Sequence, residues 1–295
     1  MLGTPDEVAA ALQQAADDGF PSAWLADSRS LDAMAALAVA GSRVPAIEVG
    51  TAVVPVHLRH PVAMAQGALT TDLATGGRFA LGIGLSHRPV IEDMYHIPFD
   101  RPAHYMEEYL SVLLPLLREG SASFSGDVLG ADAPIGIRPA GPLPVLLAAL
   151  APRMLRLAGT VADGTILWLT GAKTVGSHIV PRISEAAEAA GRPSPRVVSS
   201  LPICVTDDEG ATRAKASEAF ARYGTLPSYK AMLDMEGATT PGDVLVAGDE
   251  GSVRQQIEAQ AGAGVTDFVA VPFGEPEDAE RTRALLVSLL ARASA

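Results

Sequence analysis

The chain has one cysteine, Cys204, only 5% aromatic residues, and no run of basic side chains. Each shortage excludes something. A single cysteine forbids an internal disulfide, and a reducing cytoplasm is the expected setting. Cys204 lies in an apolar run and is expected to be an inert, buried thiol. With 22 Lys and Arg against 34 Asp and Glu, the formal charge is −12. Phosphate backbones need clustered cations, so nucleic acid is excluded as a partner. No stretch reaches the ~20 apolar residues of a membrane span, and the first residues lack the basic start and apolar middle of a signal peptide. Neither HExxH nor CxxC occurs, and His57 and His60, which flank Arg59, have no convergent ligands in sequence. No metal site is expected.

What is present is aliphatic. Hydrophobic residues make up 48% of 295. That suffices for a large core of alanine and branched side chains. The chain alternates short apolar runs with longer amphipathic ones. Thr4-Pro5-Asp6-Glu7 carries helix-start signals, and Gly19 closes that helix. The runs PSAWLAD, IEVGTAVVP, RFALGIG, LPVLLAAL, GTILWL, RVVSSLPICVT and TDFVAVPF read as seven strands, each followed by a helical stretch. Strands apolar on both faces between helices predict a parallel sheet wrapped by helices, best met by one (β/α)₈ TIM barrel over residues 1–295. An eighth strand is due before the first helix, where only Met1-Leu2-Gly3 stand. That first strand is expected to be truncated or absent. Residues 120–142 and 225–250 read as irregular excursions.

Four segments resemble the luciferase-like flavin and deazaflavin oxidoreductases: GFPSAWLADS, the long stretch from Ile47 to Pro89, LLAALAPRMLRLAGTVADGTILW, and GSVRQQIEAQAGAGVTDFVAVPFG. They follow the family's order and cover nearly the whole chain. The combination RHP–ATGGRF–LGIGLSHRP is most similar to the branch that uses coenzyme F420, an 8-hydroxy-5-deazaflavin. The resemblance implies the barrel, a small organic substrate, and a homodimer. It also implies hydride transfer between the deazaflavin C5 and an activated C=C, C=N or C=O bond, or the reverse. Two other readings stay open. One is an FMN-dependent monooxygenase. The other is a non-catalytic cofactor-binding homologue.

Barrel function gathers at the C-terminal ends of strands. There the resemblance implies a bulge at Ala52, Val53 and Val54, with a cis peptide between Ala52 and Val53, backing the isoalloxazine ring. Gly82 and Gly84 would let a ring or substrate approach the backbone. His87 matches the position of a proton donor in relatives and titrates near neutrality. Arg88, Tyr95 and Trp168 are candidate substrate contacts. Tyr95, His96 and Tyr105 either cover the substrate or pack. Ala149, Leu150 and Ala151 precede a helix opened by Pro152. In the family this corner holds the cofactor phosphate, with Arg153 adding charge. Relatives often carry glycine where this chain has Leu150 and Ala151. Asp27 either caps the next helix or bonds the deazaflavin hydroxyl. Many relatives have histidine after that aspartate, where this chain has Ser28.

Overall fold

The computed structural model describes residues 3–27 and 29–293. Ser28 and, of the Met1-Leu2-Gly3 stub left for a first strand, Met1 and Leu2 lie outside the described residues. The chain falls into two compact units, residues 1–148 and 149–295.

The first unit opens with α1 (Pro5–Asp17). It starts where Thr4 accepts from the Glu7 amide at 3.2 Å while the Glu7 carboxylate reaches back to the Thr4 and Gly3 amides. This capping box satisfies donors that no helical carbonyl can reach. There follow β1 (Ser22–Leu25), α2 (Ala33–Gly41), β2 (Glu48–Thr51), β3 (Val54–Pro55), α3 (Pro61–Ala74), β4 (Phe79–Gly84) and α4 (Pro102–Arg118). Next come β5 (Ser121–Ser125), β6 (Gly130–Pro134) and β7 (Val145–Ala148). Strands β1, β2, β4 and β7 pair in that order, all parallel, and β3 adds to β4. Phe79, Leu81 and Ile83 of β4 are fully buried with Met34, Leu37, Met64 and Leu69 of the helices.

Residues 120–142 were expected to be irregular. They instead carry the antiparallel hairpin β5–β6. Its turn is held by Glu108 of α4, whose carboxylate accepts the amides of Asp127, Val128 and Leu129 at 2.7, 2.9 and 2.9 Å. Burial pushes the Glu108 pKa up, but these three donors and the nearby His104 outweigh it and hold it low. A Gly- and Ser-rich segment with little apolar content becomes a hairpin because a distant carboxylate organises its turn.

The second unit contains α5 (Pro152–Val161), β8 (Gly164–Trp168), α6 (Ala172–Thr174), a wide turn at Val175–Ile179, α7 (Val180–Ala189) and β9 (Arg196–Val205). It continues through α8 (Glu209–Ala219), α9 (Ala221–Thr225), α10 (Pro227–Glu236), β10 (Val246–Gly248), α11 (Glu250–Gly262), β11 (Asp267–Pro272) and α12 (Pro276–Ala293). The short β10 was not foreseen; three residues are too few to show a pattern. Strand β9 is the centre, pairing in parallel with β8, β10 and β11. The Cys204 thiol is fully buried there, and its pKa is pushed up to about 11, first by burial. That is the inert thiol the sequence implied.

Among the described residues no strand precedes α1. Among the described strands β1 pairs with β2 alone and β11 with β9 alone, and both keep half-exposed side chains along much of their length. No described helix is long and apolar enough to cross a membrane.

The start of β11 is tied to the start of β9 by a two-pronged ion pair. Arg196 Nε donates to Asp267 Oδ2 at 2.9 Å and Nη2 to Oδ1 at 2.6 Å. Burial alone would raise the Asp267 pKa from 3.8, but Arg196 and the Thr266 hydroxyl outweigh it and lower it. A lowered pKa gives stability that is present above the unfolded value and lost as pH falls through the folded one. Asp267→Asn is expected to cost about 1–3 kcal/mol at pH 7. Urea unfolding should show the gap between the two proteins closing as pH drops below 4, where about half of ordinary carboxylates are protonated.

Candidate functional site

Each candidate element stands at the C-terminal end of a strand. In the first unit the centre is the segment between β2 and β3. The Ala52–Val53 peptide is cis, as the resemblance implied. Three hydrogen bonds fix its position. The Ala52 amide donates to Leu25 O at 2.8 Å, the Gly82 amide to Thr51 Oγ1 at 2.9 Å, and Thr51 Oγ1 back to Gly82 O at 2.8 Å. Thr51 and Val54 are fully buried, while Ala52 and Val53 between them are half-exposed. The result is a small apolar ledge on a rigid base.

Gly82 and Gly84 make room for this ledge. A Cβ on Gly82 would overlap the Thr51 carbonyl and lie 3.2 Å from the Val53 side chain. One on Gly84 would lie 2.8 Å from Val53 and 3.0 Å from Ala148. The space the glycines open is filled by the bulge.

His87 follows Ser86, whose φ of 60° is left-handed and uncommon for a residue with a Cβ. The His87 carbonyl accepts from the Val90 and Ile91 amides at 2.9 and 3.0 Å, and the residue is half-buried. Its backbone thus starts the wide turn at Pro89–Met94. Arg88 has partners within its own loop. Its guanidinium pairs with Glu92, donates to Phe99 O at 2.8 Å, and lies 5.4 Å from the Phe99 ring centre. It braces its own loop. Tyr95 ends the same turn, half-buried. Tyr105 takes the packing role of its two alternatives. It stacks on His57 at 4.4 Å, with Phe99 on the same imidazole at 5.0 Å. Burial lowers the His57 pKa, so its ring is neutral near pH 7.

Asp27 lies between β1 and α2. It accepts a backbone hydrogen bond from Ala33, at the start of α2, and faces Arg59 at 3.8 Å. Asp32, the N-cap of α2, accepts from Ala35 at 3.0 Å and binds the same guanidinium. Burial, chiefly, raises the Asp27 pKa. The two carboxylates and Arg59 form one network that Tyr109 steadies by donating to Arg59 O at 2.9 Å. Ser28 lies outside the described residues.

In the second unit, α5 begins at Pro152 after Ala151, whose methyl cannot cap it. First-turn amides have no carbonyl within the helix and attract anions. Ala149 is buried, Leu150 half-buried, and Ala151 and Arg153 exposed. Trp168, at the end of β8, is half-buried and joins an aromatic group the sequence reading missed. Phe220 and Tyr223 meet it edge-on at 5.6 and 6.3 Å, and Tyr229 follows at 4.9 Å from Tyr223. The three-residue spacing of Phe220 and Tyr223 was the available signal. Leu169, next to Trp168, has φ 50°, a second left-handed non-glycine residue at a strand end.

Gly82→Ala is expected to displace the Val53 ledge and to destabilise the protein by about 1–3 kcal/mol. Gly210→Ala, where a Cβ meets only Asp208 Oδ1 at 3.7 Å, is the neutral control. Chemical unfolding of both variants checks the difference.

The model of the luciferase-like monooxygenase family matches residues 2–267. A 5,10-methylenetetrahydromethanopterin reductase of Methanopyrus kandleri is 25% identical over 95% of this chain and 92% of its own length. A putative coenzyme F420-dependent oxidoreductase of Mycobacterium tuberculosis is 25% identical over 74% of this chain and 68% of its own. Among solved structures, the coenzyme F420-dependent tetrahydromethanopterin reductase of M. kandleri superposes with a TM-score of 0.83. It covers 98% of this chain and 96% of that one at 23% identity. This chain has the same (β/α)₈ fold, and it belongs to the luciferase-like monooxygenase family.

Proposed function

We propose that this oxidoreductase binds coenzyme F420 and transfers a hydride between the deazaflavin and a small organic molecule. The observation that carries the reading is the half-exposed Ala52–Val53 ledge, held by Thr51 on the Gly82 backbone. It fits the back of a flat ring. The uncapped start of α5 fits a phosphate. Two relatives named for F420 chemistry support the choice of cofactor.

When bound, the deazaflavin supplies a two-electron hydride carrier at C5. The protein's own work is to orient, to exclude water and to manage a proton. Val53 limits how the ring sits, because the residues before it are held: Ala52 by its bond to Leu25 and Thr51 by its bonds to Gly82. His87 is the proton donor in the reductive direction and the acceptor in the oxidative one. Trp168 and its aromatic neighbours give an apolar wall for substrate.

Fluorescence titration with F420 and, separately, FMN tests the cofactor. Tight F420 and weak FMN binding is the expected result. The reverse would move the protein to flavin-dependent oxygenation, and binding of neither would overturn the assignment. His87→Ala is expected to lower turnover by about 10²–10⁴-fold while leaving the F420 dissociation constant unchanged. Retention of wild-type turnover would remove His87 from the chemistry.

A further inference from the structure

His178 is a residue that neither the sequence reading nor the proposed chemistry uses. It is only 4% exposed, in the wide turn that leads into α7. Its Nε2 lies 2.8 Å from the carbonyl oxygen of Leu150. A carbonyl only accepts, so Nε2 carries the proton and donates. The His178 backbone is itself held, since Arg182 Nη1 donates to its carbonyl at 3.1 Å.

Leu150 precedes the N-cap of α5, and the geometry of a trans peptide gives this contact its consequence. C=O and N–H of one peptide point in opposite directions. Tying the Leu150 carbonyl to a buried imidazole turns the Ala151 N–H away from His178. Ala151 is exposed and extended, with φ −78° and ψ 148°, and the helix starts one residue later. Pro152, the first helical residue, has no N–H, so Ala151 carries the last amide before that of Arg153. The rest of α5 is fixed by close packing on α7. A Cβ on Gly159 would overlap Ile183 O and lie 2.8 Å from the Ala186 methyl. The helix is thus anchored along its length by Gly159 and at its entry by His178.

We propose that His178 is the positioning residue of this corner: by holding the Leu150 carbonyl it sets the Ala151 amide for an oxyanion, and affinity for the phosphate of the cofactor depends on it. This rests on the reading that the start of α5 receives that phosphate. The proposal also accounts for the departure from glycine at Leu150 and Ala151. A side-chain hydrogen bond holds the peptide orientation that freer residues would otherwise have to find on binding.

The test compares F420 with its phosphate-free deazaflavin ribitol analogue, each titrated by fluorescence into wild type, His178→Leu and His178→Gln. The wild type should prefer the phosphate-bearing form. H178L should reduce that preference by about tenfold, the worth of one charge-assisted hydrogen bond, and leave analogue binding unchanged. H178Q, which keeps a donor at similar reach, should restore most of it. Thermal melting checks that each variant is folded. If H178L does not fold, His178→Met against H178Q carries the same comparison. An unchanged preference in the folded apolar variant overturns the proposal. Equal weakening of both ligands also overturns it, since that marks a merely structural role. Equal binding of the two ligands by the wild type overturns the phosphate reading of the corner instead, and the role of His178 with it.

Discussion

The reciprocal pair between Thr51 and Gly82 is the constraint on which the first unit's candidate site depends. A single hydroxyl accepts from the Gly82 amide and donates to the Gly82 carbonyl. It thereby stands in for a strand partner where β2 leaves the ladder and β3 has yet to begin. Both groups of one residue are satisfied without water, as buried backbone requires. The chain is then free to bulge at Ala52 and Val53. The absent side chains of Gly82 and Gly84 leave room for Val53 to lie flat against β4.

The second unit solves a related problem by other means. Its exposed helix start has no side-chain cap, so geometry must come from the carbonyl side of the preceding peptide. His178 provides it from below. In both units the residues facing outward are small and aliphatic, while the polar groups that orient them are buried one layer back. Such an arrangement suits a protein whose bound cofactor carries the reactive chemistry. The scaffold needs rigidity more than reactive side chains of its own.

The loops show where charges work locally. Arg88 and Asp27 each read as a ligand contact in sequence, being charges beside a strand end. In the fold each has a near neighbour of opposite sign: Glu92 for Arg88, and for Asp27 Arg59, which also binds Asp32. The Arg88–Glu92 pair is four residues apart on one turn and was legible in principle. The Arg59–Asp32 pair joins the starts of two helices and was not.

The sequence by itself determined the succession of strands and helices, because burial on both faces and helical periodicity are local patterns. It also determined the family, because the long stretch from Ile47 to Pro89 keeps its motif order. The helix start at Thr4 was equally legible, since a capping box lies within four residues. Tertiary structure alone decided that Val53 fills the space above Gly82 and Gly84, that Glu108 turns residues 120–142 into a hairpin, and that His178 meets Leu150. These contacts join residues 19 to 31 positions apart in chain. At such separations the spacing of residue types carries no signal, and only the packing of one element on another brings the groups within hydrogen-bond reach.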